Sequence, residues 1–113
     1  MKDSKMEMFK QIRNLFSENL TLLQKKIPLN GIWSVCSIQG TDYQGAVRVI
    51  PSDTEEGIYF VWVDVFETVY DPVFSNTLFK GNLQQVVLWH QNQDNIENVY
   101  NCMHHLYELA IDD

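Results

Sequence analysis

Apolar residues recur every three or four positions from Phe9 through Ile12, Phe16, Leu20 and Leu23 to Ile27, and Met8, Leu15 and Leu22 widen the same stripe. Lys10, Arg13, Ser17 and Gln24 fall on the opposite side. This spacing predicts an amphipathic helix with a broad buried face. Ser4-x-x-Glu7 has the form of a capping box at its start, where a hydroxyl and a carboxylate each satisfy a free backbone N–H. Lys25 and Lys26 suit its carbonyl end, and Pro28 with Asn30-Gly31 stops it.

From Ile32 the period changes to two. Ile32 to Gln39 predicts a strand with Trp33 and Val35 on one face and Ser34, Cys36 and Ile38 on the other. Gly45 to Ile50 predicts a second, with Val47 and Val49 opposite Ala46, Arg48 and Ile50. After the acidic turn Asp53 to Gly57 comes the longest β-favouring run in the chain, Gly57 to Asp71. Tyr59, Val61, Val63 and Val65 line one side of it, and Ile58, Phe60, Trp62, Asp64 and Phe66 the other. Two apolar faces mark an inner strand. Val73 to Lys80 reads as a helical turn or a loop folded over the sheet. Gly81-Asn82 reads as a turn and Leu83 to His90 as a further strand. Asp94-x-x-Glu97 has the form of a second capping box. Ile96, Val99, Tyr100, Met103, Tyr107 and Ala110 then follow at helical spacing.

The predicted order is α-β-β-β-(short element)-β-α. It describes a single two-layer α+β domain over residues 1–113, with a mostly antiparallel sheet and both helices on one face. The helices would cover Val61, Val63 and Val65. The other face would show Phe60, Trp62, Asp64 and Phe66, joined by Ser34, Cys36 and Arg48. A face so aromatic needs a cover, either the 73–80 segment or a second chain.

Charge adds an asymmetry. Residues 1–48 carry seven Lys or Arg against four Asp or Glu, a net of +3, whereas residues 49–113 carry eleven acids against the single base Lys80, a net of −10. Such a field repels nucleic acid and anionic membrane and attracts basic partners. No apolar run is long enough to cross a bilayer, and Met-Lys-Asp-Ser-Lys-Met-Glu lacks the apolar core of a signal peptide. The expectation is a soluble, cytoplasmic protein. Cys36 and Cys102 then remain reduced, since two distant cysteines make no disulfide framework.

Candidate chemistry is sparse. Asp64 is read as the cross-strand partner of Arg48, with a catalytic acid or a cation anchor as the alternatives. His104 and His105 point about 100° apart on a helix and cannot chelate one ion well. Cys102 and His105 fall short of a metal ligand set by two groups. Nothing beside Cys36 activates it as a nucleophile, and the chain has no phosphate-cradling loop, dinucleotide fingerprint or nucleophile elbow. No metal, cofactor or catalysis is therefore expected. Trp33, Trp62 and Trp89 fall on three separate predicted strands, as core fillers or as binding anchors.

The general outline is similar to that of two broad kinds of small cytosolic protein. One is the immunity or antitoxin proteins that plug a toxic enzyme, often a basic nuclease. The other is the acidic secretion chaperones, which dimerise. The likeness rests on no motif and transfers no residue. The leading expectation is an acidic inhibitor that neutralises a basic partner protein through Asp53, Glu55, Glu56, Trp62, Asp64, Glu67 and Asp71. The alternatives are a chaperone-like homodimer that holds clients on its aromatic sheet face, and a small enzyme built on Cys36 or Asp64.

Overall fold

A computed structural model describes residues 2–25, 28, 30–68 and 70–112. Helix α1 (Lys2–Leu23) leads into four strands, β1 (Ile32–Ser37), β2 (Gln44–Pro51), β3 (Ile58–Phe66) and β4 (Phe74–Asn82), followed by α2 (Leu83–Gln91) and α3 (Asp94–Ile111). The strands form one sheet in the order β1-β2-β3-β4, each antiparallel to the next. The α+β class, the antiparallel sheet and the inner position of the 58–66 run are as the sequence implied. Among the described residues, no helix is long and apolar enough to cross a membrane.

The strand register sorts the side chains. Ile32, Val47, Val49, Val61, Val63 and Val65 face the helices and are buried. Burial of this extent is worth roughly 1.5–3 kcal/mol per branched side chain. Ile12, Leu15 and Phe16 of α1, Val86 of α2, and Val99, Met103 and Leu106 of α3 close over them in one cluster. Gly45 lets α3 approach the sheet, because a Cβ there would meet Met103 Sδ at 2.6 Å. Leu23 is buried, but Leu20 only partly so.

Four elements differ from the sequence reading in their type or bounds. The segment 74–82 is the edge strand β4, not a cover over the sheet. A bulge on it pairs Phe79 with Val61 and Thr77 with Trp62, so Leu78 is the extra residue and packs with Phe79 against the core cluster. Leu83 to Gln91 is a helix, not a strand. Asn82 Oδ1 accepts from Gln85 N at 2.8 Å and Gln85 Oε1 accepts from Asn82 N at 2.8 Å, a complete capping box. At α3, Asn92 Oδ1 accepts from Asp94 N at 3.0 Å, so Asp94 lies inside the helix and no side chain of its N-cap, Gln93, caps it. Finally, α1 begins at Lys2 and ends at Leu23, which puts Ser4 within it and Lys25 beyond it. Lys26 and Ile27 lie outside the described residues.

Candidate functional site

The helices cover one side of the sheet only. Trp33 and Val35 of β1, Arg48 and Ile50 of β2, Phe60, Trp62, Asp64 and Phe66 of β3, and Ser75, Thr77 and Lys80 of β4 share the other side through their register. Ser34 and Cys36 do not belong to it. Ser34 pairs with Val47 and Cys36 with Gly45, which turns both toward the helices and brings Trp33 beside Arg48. Alternation separates the two sets of β1 residues, but only pairing with β2 says which set meets the helices. None of this second face belongs to the buried cluster beneath the helices, and Trp33 remains 48% and Val35 42% exposed.

Side chains close the centre of the face. Asp64, 0% exposed, takes Arg48 Nε against Oδ2 and Arg48 Nη2 on Oδ1 at 3.2 Å. Ser75 Oγ donates to the same Oδ1 at 2.6 Å. The guanidinium lies 4.8 Å from the Trp62 ring centre and 5.3 Å from that of Trp33, a cation between two indoles. Trp33 in turn meets Phe66 edge-on at 5.9 Å. Nearer the 53–57 turn, Lys80 Nζ lies 5.7 Å from the Phe60 ring and donates to Glu55 Oε1 at 2.7 Å. Both cations of the face are thus paired with acids, and Trp33 and Val35 are its most exposed apolar side chains. The Trp62 indole N–H has no acceptor among the described residues.

Acids stand past both ends of β3, and the cleft lined by those at its far end reaches Ala110 of α3 on the helix side. Asp53, Glu55 and Glu56 are exposed on the turn between β2 and β3, which Ser52 Oγ orders by accepting from Thr54 N at 3.2 Å and Glu55 N at 3.0 Å. Glu67 and Asp71 are exposed past the other end of β3, where both line a cleft of about 310 Å³ with Tyr43, Pro72, Phe74 and Ala110. A strand of this length spans roughly 25–30 Å, so the structure brings Glu67 and Asp71 together and keeps them apart from Asp53, Glu55 and Glu56. Trp62 lies between the two groups. Asp64 is reachable only through Arg48 and Ser75. The sequence reading left Trp33 out of the site because it gave β1 the opposite face, and it had Arg48 on the open face only as the partner of Asp64.

The other candidate groups lie elsewhere. Burial pushes the Cys36 thiol up to about 11, which keeps it protonated at neutral pH. His104 is exposed and pairs with Glu108 at 3.2 Å. Among the described residues, no three His, Cys, Asp or Glu side chains gather as metal ligands would. Beneath the helices runs a polar chain that the sequence did not signal. Ser34 Oγ donates to Asn19 Oδ1 at 2.6 Å, Asn19 Nδ2 lies 3.1 Å from His90 Nε2, and His90 Nδ1 lies 2.9 Å from Val86 O. Burial holds the His90 pKa below 6.5, and the neutral ring with its proton on Nδ1 satisfies both neighbours. Trp89 belongs to the core, tilted against Phe16 at 5.2 Å.

Comparisons with protein-family models, with curated proteins and with solved structures found no match for this chain.

Proposed function

We propose that this chain is a non-catalytic binding protein that takes a basic partner protein on the open face of its sheet, in the manner of an immunity- or antitoxin-type inhibitor. The observation that carries this reading is the aromatic face of Trp33, Phe60 and Trp62, which none of the described helices covers, with the exposed acids Asp53, Glu55 and Glu56 at one of its ends. Indole surface at the centre supplies the holding contacts, and rim acids supply long-range attraction. The protonated thiol of Cys36 and the occupied carboxylate of Asp64 support a role without catalysis. The chaperone-like homodimer is less favoured on charge, because two copies of a chain with a net charge of −7 repel one another.

The test is capture from the native lysate, followed by kinetics with the purified partner. Trp33→Ala and Trp62→Ala each raise the dissociation rate by an amount worth about 2 kcal/mol or more. Asp53→Lys with Glu56→Lys, which spares the Glu55–Lys80 pair, slows association and flattens its salt dependence, because such charges act within a screening length of about 8–10 Å. A partner with an acidic contact surface, or a charge reversal without effect at low salt, refutes the reading.

A further inference from the structure

The aromatic face stops at β4, the sheet edge in the acidic part of the chain. Among the described residues strand β4 pairs with β3 alone, so alternate backbone N–H and C=O groups along its outer side meet no described strand. Edge strands are usually blunted by charge, proline or a bulge. Here the bulge and Lys80 come late, and Ser75-Asn76-Thr77 before them is exposed, uncharged and regularly paired.

Under this edge, on the helix side, lie two clefts of about 320 and 350 Å³ that share Trp89 and Asn95. The second is lined by Leu78, Trp89, Asn95, Asn98 and Asn101. The bulge puts Leu78 there, giving the groove an apolar wall on the strand side. The three asparagines step by three along α3 and form a polar wall opposite. Asn95 Nδ2 donates to Trp89 O at 2.8 Å, and Asn98 Nδ2 to Asn95 Oδ1 at 2.9 Å. Asn98 Oδ1 and the amide of the exposed Asn101 make no hydrogen bond to another described group. A primary amide donates and accepts at once, which matches a peptide main chain.

From these features we infer that β4 accepts an extended, basic segment of the partner polypeptide as a fifth strand. The segment's main chain bonds the 75–77 edge, and one row of its side chains enters the groove along α3. The charge fixes the sign of the segment. Lys80 is already tied to Glu55, and no Lys or Arg follows it in the sequence, whereas Asp94 and Glu97 stand exposed on α3. The other sheet edge, β1, belongs to the basic part of the chain. Strand addition of this kind draws affinity from backbone hydrogen bonds and selectivity from pockets under alternate side chains. The inference rests on the proposed basic partner but uses a different surface from the aromatic face.

The probe is the heptapeptide of alternating lysine and valine, titrated into the full-length protein at low salt and followed by amide NMR. Its glutamate–valine counterpart and a version N-methylated at the valines serve as controls. The expected result is shifts at the Ser75, Asn76 and Thr77 amides and at the Asn98 and Asn101 side chains. Both control peptides bind about tenfold more weakly or worse, a difference that corresponds to one charge-assisted or backbone contact set lost. Asn101→Lys weakens the lysine–valine peptide to a similar degree and leaves the melting temperature unchanged, because Asn101 is exposed. Undiminished binding of the N-methylated peptide overturns strand addition, as does the absence of any shift at β4. Shifts confined to the Trp33 and Trp62 indoles overturn the edge site while leaving the aromatic face as the partner surface. Equal binding of the acidic peptide overturns the basic-partner reading itself.

Discussion

Asp64 shows how one buried charge can organise a surface. It holds Arg48 between two indoles and takes a proton donor from Ser75, so its effect on the face is exerted through its neighbours. Removing it leaves a guanidinium with no counter-charge among aromatics. Asp64→Ala should destabilise the fold by about 3 kcal/mol, while Arg48→Met with Asp64→Leu should come close to the parent, because apolar replacement removes both desolvation penalties. Denaturant titrations of the two singles and the double give the coupling directly. His90 makes a second residue-scale prediction. The unfolded chain takes up its proton near pH 6.5, whereas the folded ring resists because it is buried against Asn19. Stability attributable to His90 is therefore full above pH 6.5 and declines below it, by at most about 1.4 kcal/mol per pH unit. The denaturation midpoint followed from pH 7.5 to 5.5 should lose that slope in His90→Gln. The Asp64–Arg48 pair was legible from opposite charges on adjacent strands. The Asn19–His90 contact was not, because it joins positions 71 residues apart and a polar residue in an apolar stripe does not announce its partner.

At the scale of elements, α1, β2, β3 and α3 were legible because their apolar residues keep one period for several turns or pairs. β4 and α2 were not. Phe74 to Asn82 breaks alternation at the Leu78 bulge, and as an edge strand it needs no second apolar face. Val86, Val87, Leu88 and Trp89 form a run that fits either period, so the helix is decided by its start. The deciding signal was present in the sequence as Asn82-x-x-Gln85, whose two side chains close the first turn. Asn82→Ala should cost about 1 kcal/mol, within the usual range for a lost cap, and should speed amide exchange in the first turn of α2 before it affects α3. Equal exchange in both helices would mean that α2 draws its stability from packing on α1 and β4 alone.

The whole molecule has two unlike sides. One is a helix-covered core, and the other is an aromatic sheet face with acids beyond each end of β3 and a free edge at β4. That division follows from the sequence asymmetry of +3 before residue 49 and −10 after it, together with the two-sided apolarity of β3. Under the proposed function, the open face meets a different, basic protein. The most direct measurement places a photo-crosslinking amino acid at Val35, exposed on that face, and in parallel at Arg13, exposed on α1, and irradiates cells producing each form. The expected result is a single basic protein joined through position 35 and not through position 13. Adducts of the chain with itself through position 35, or the same adducts from both positions, would contradict it.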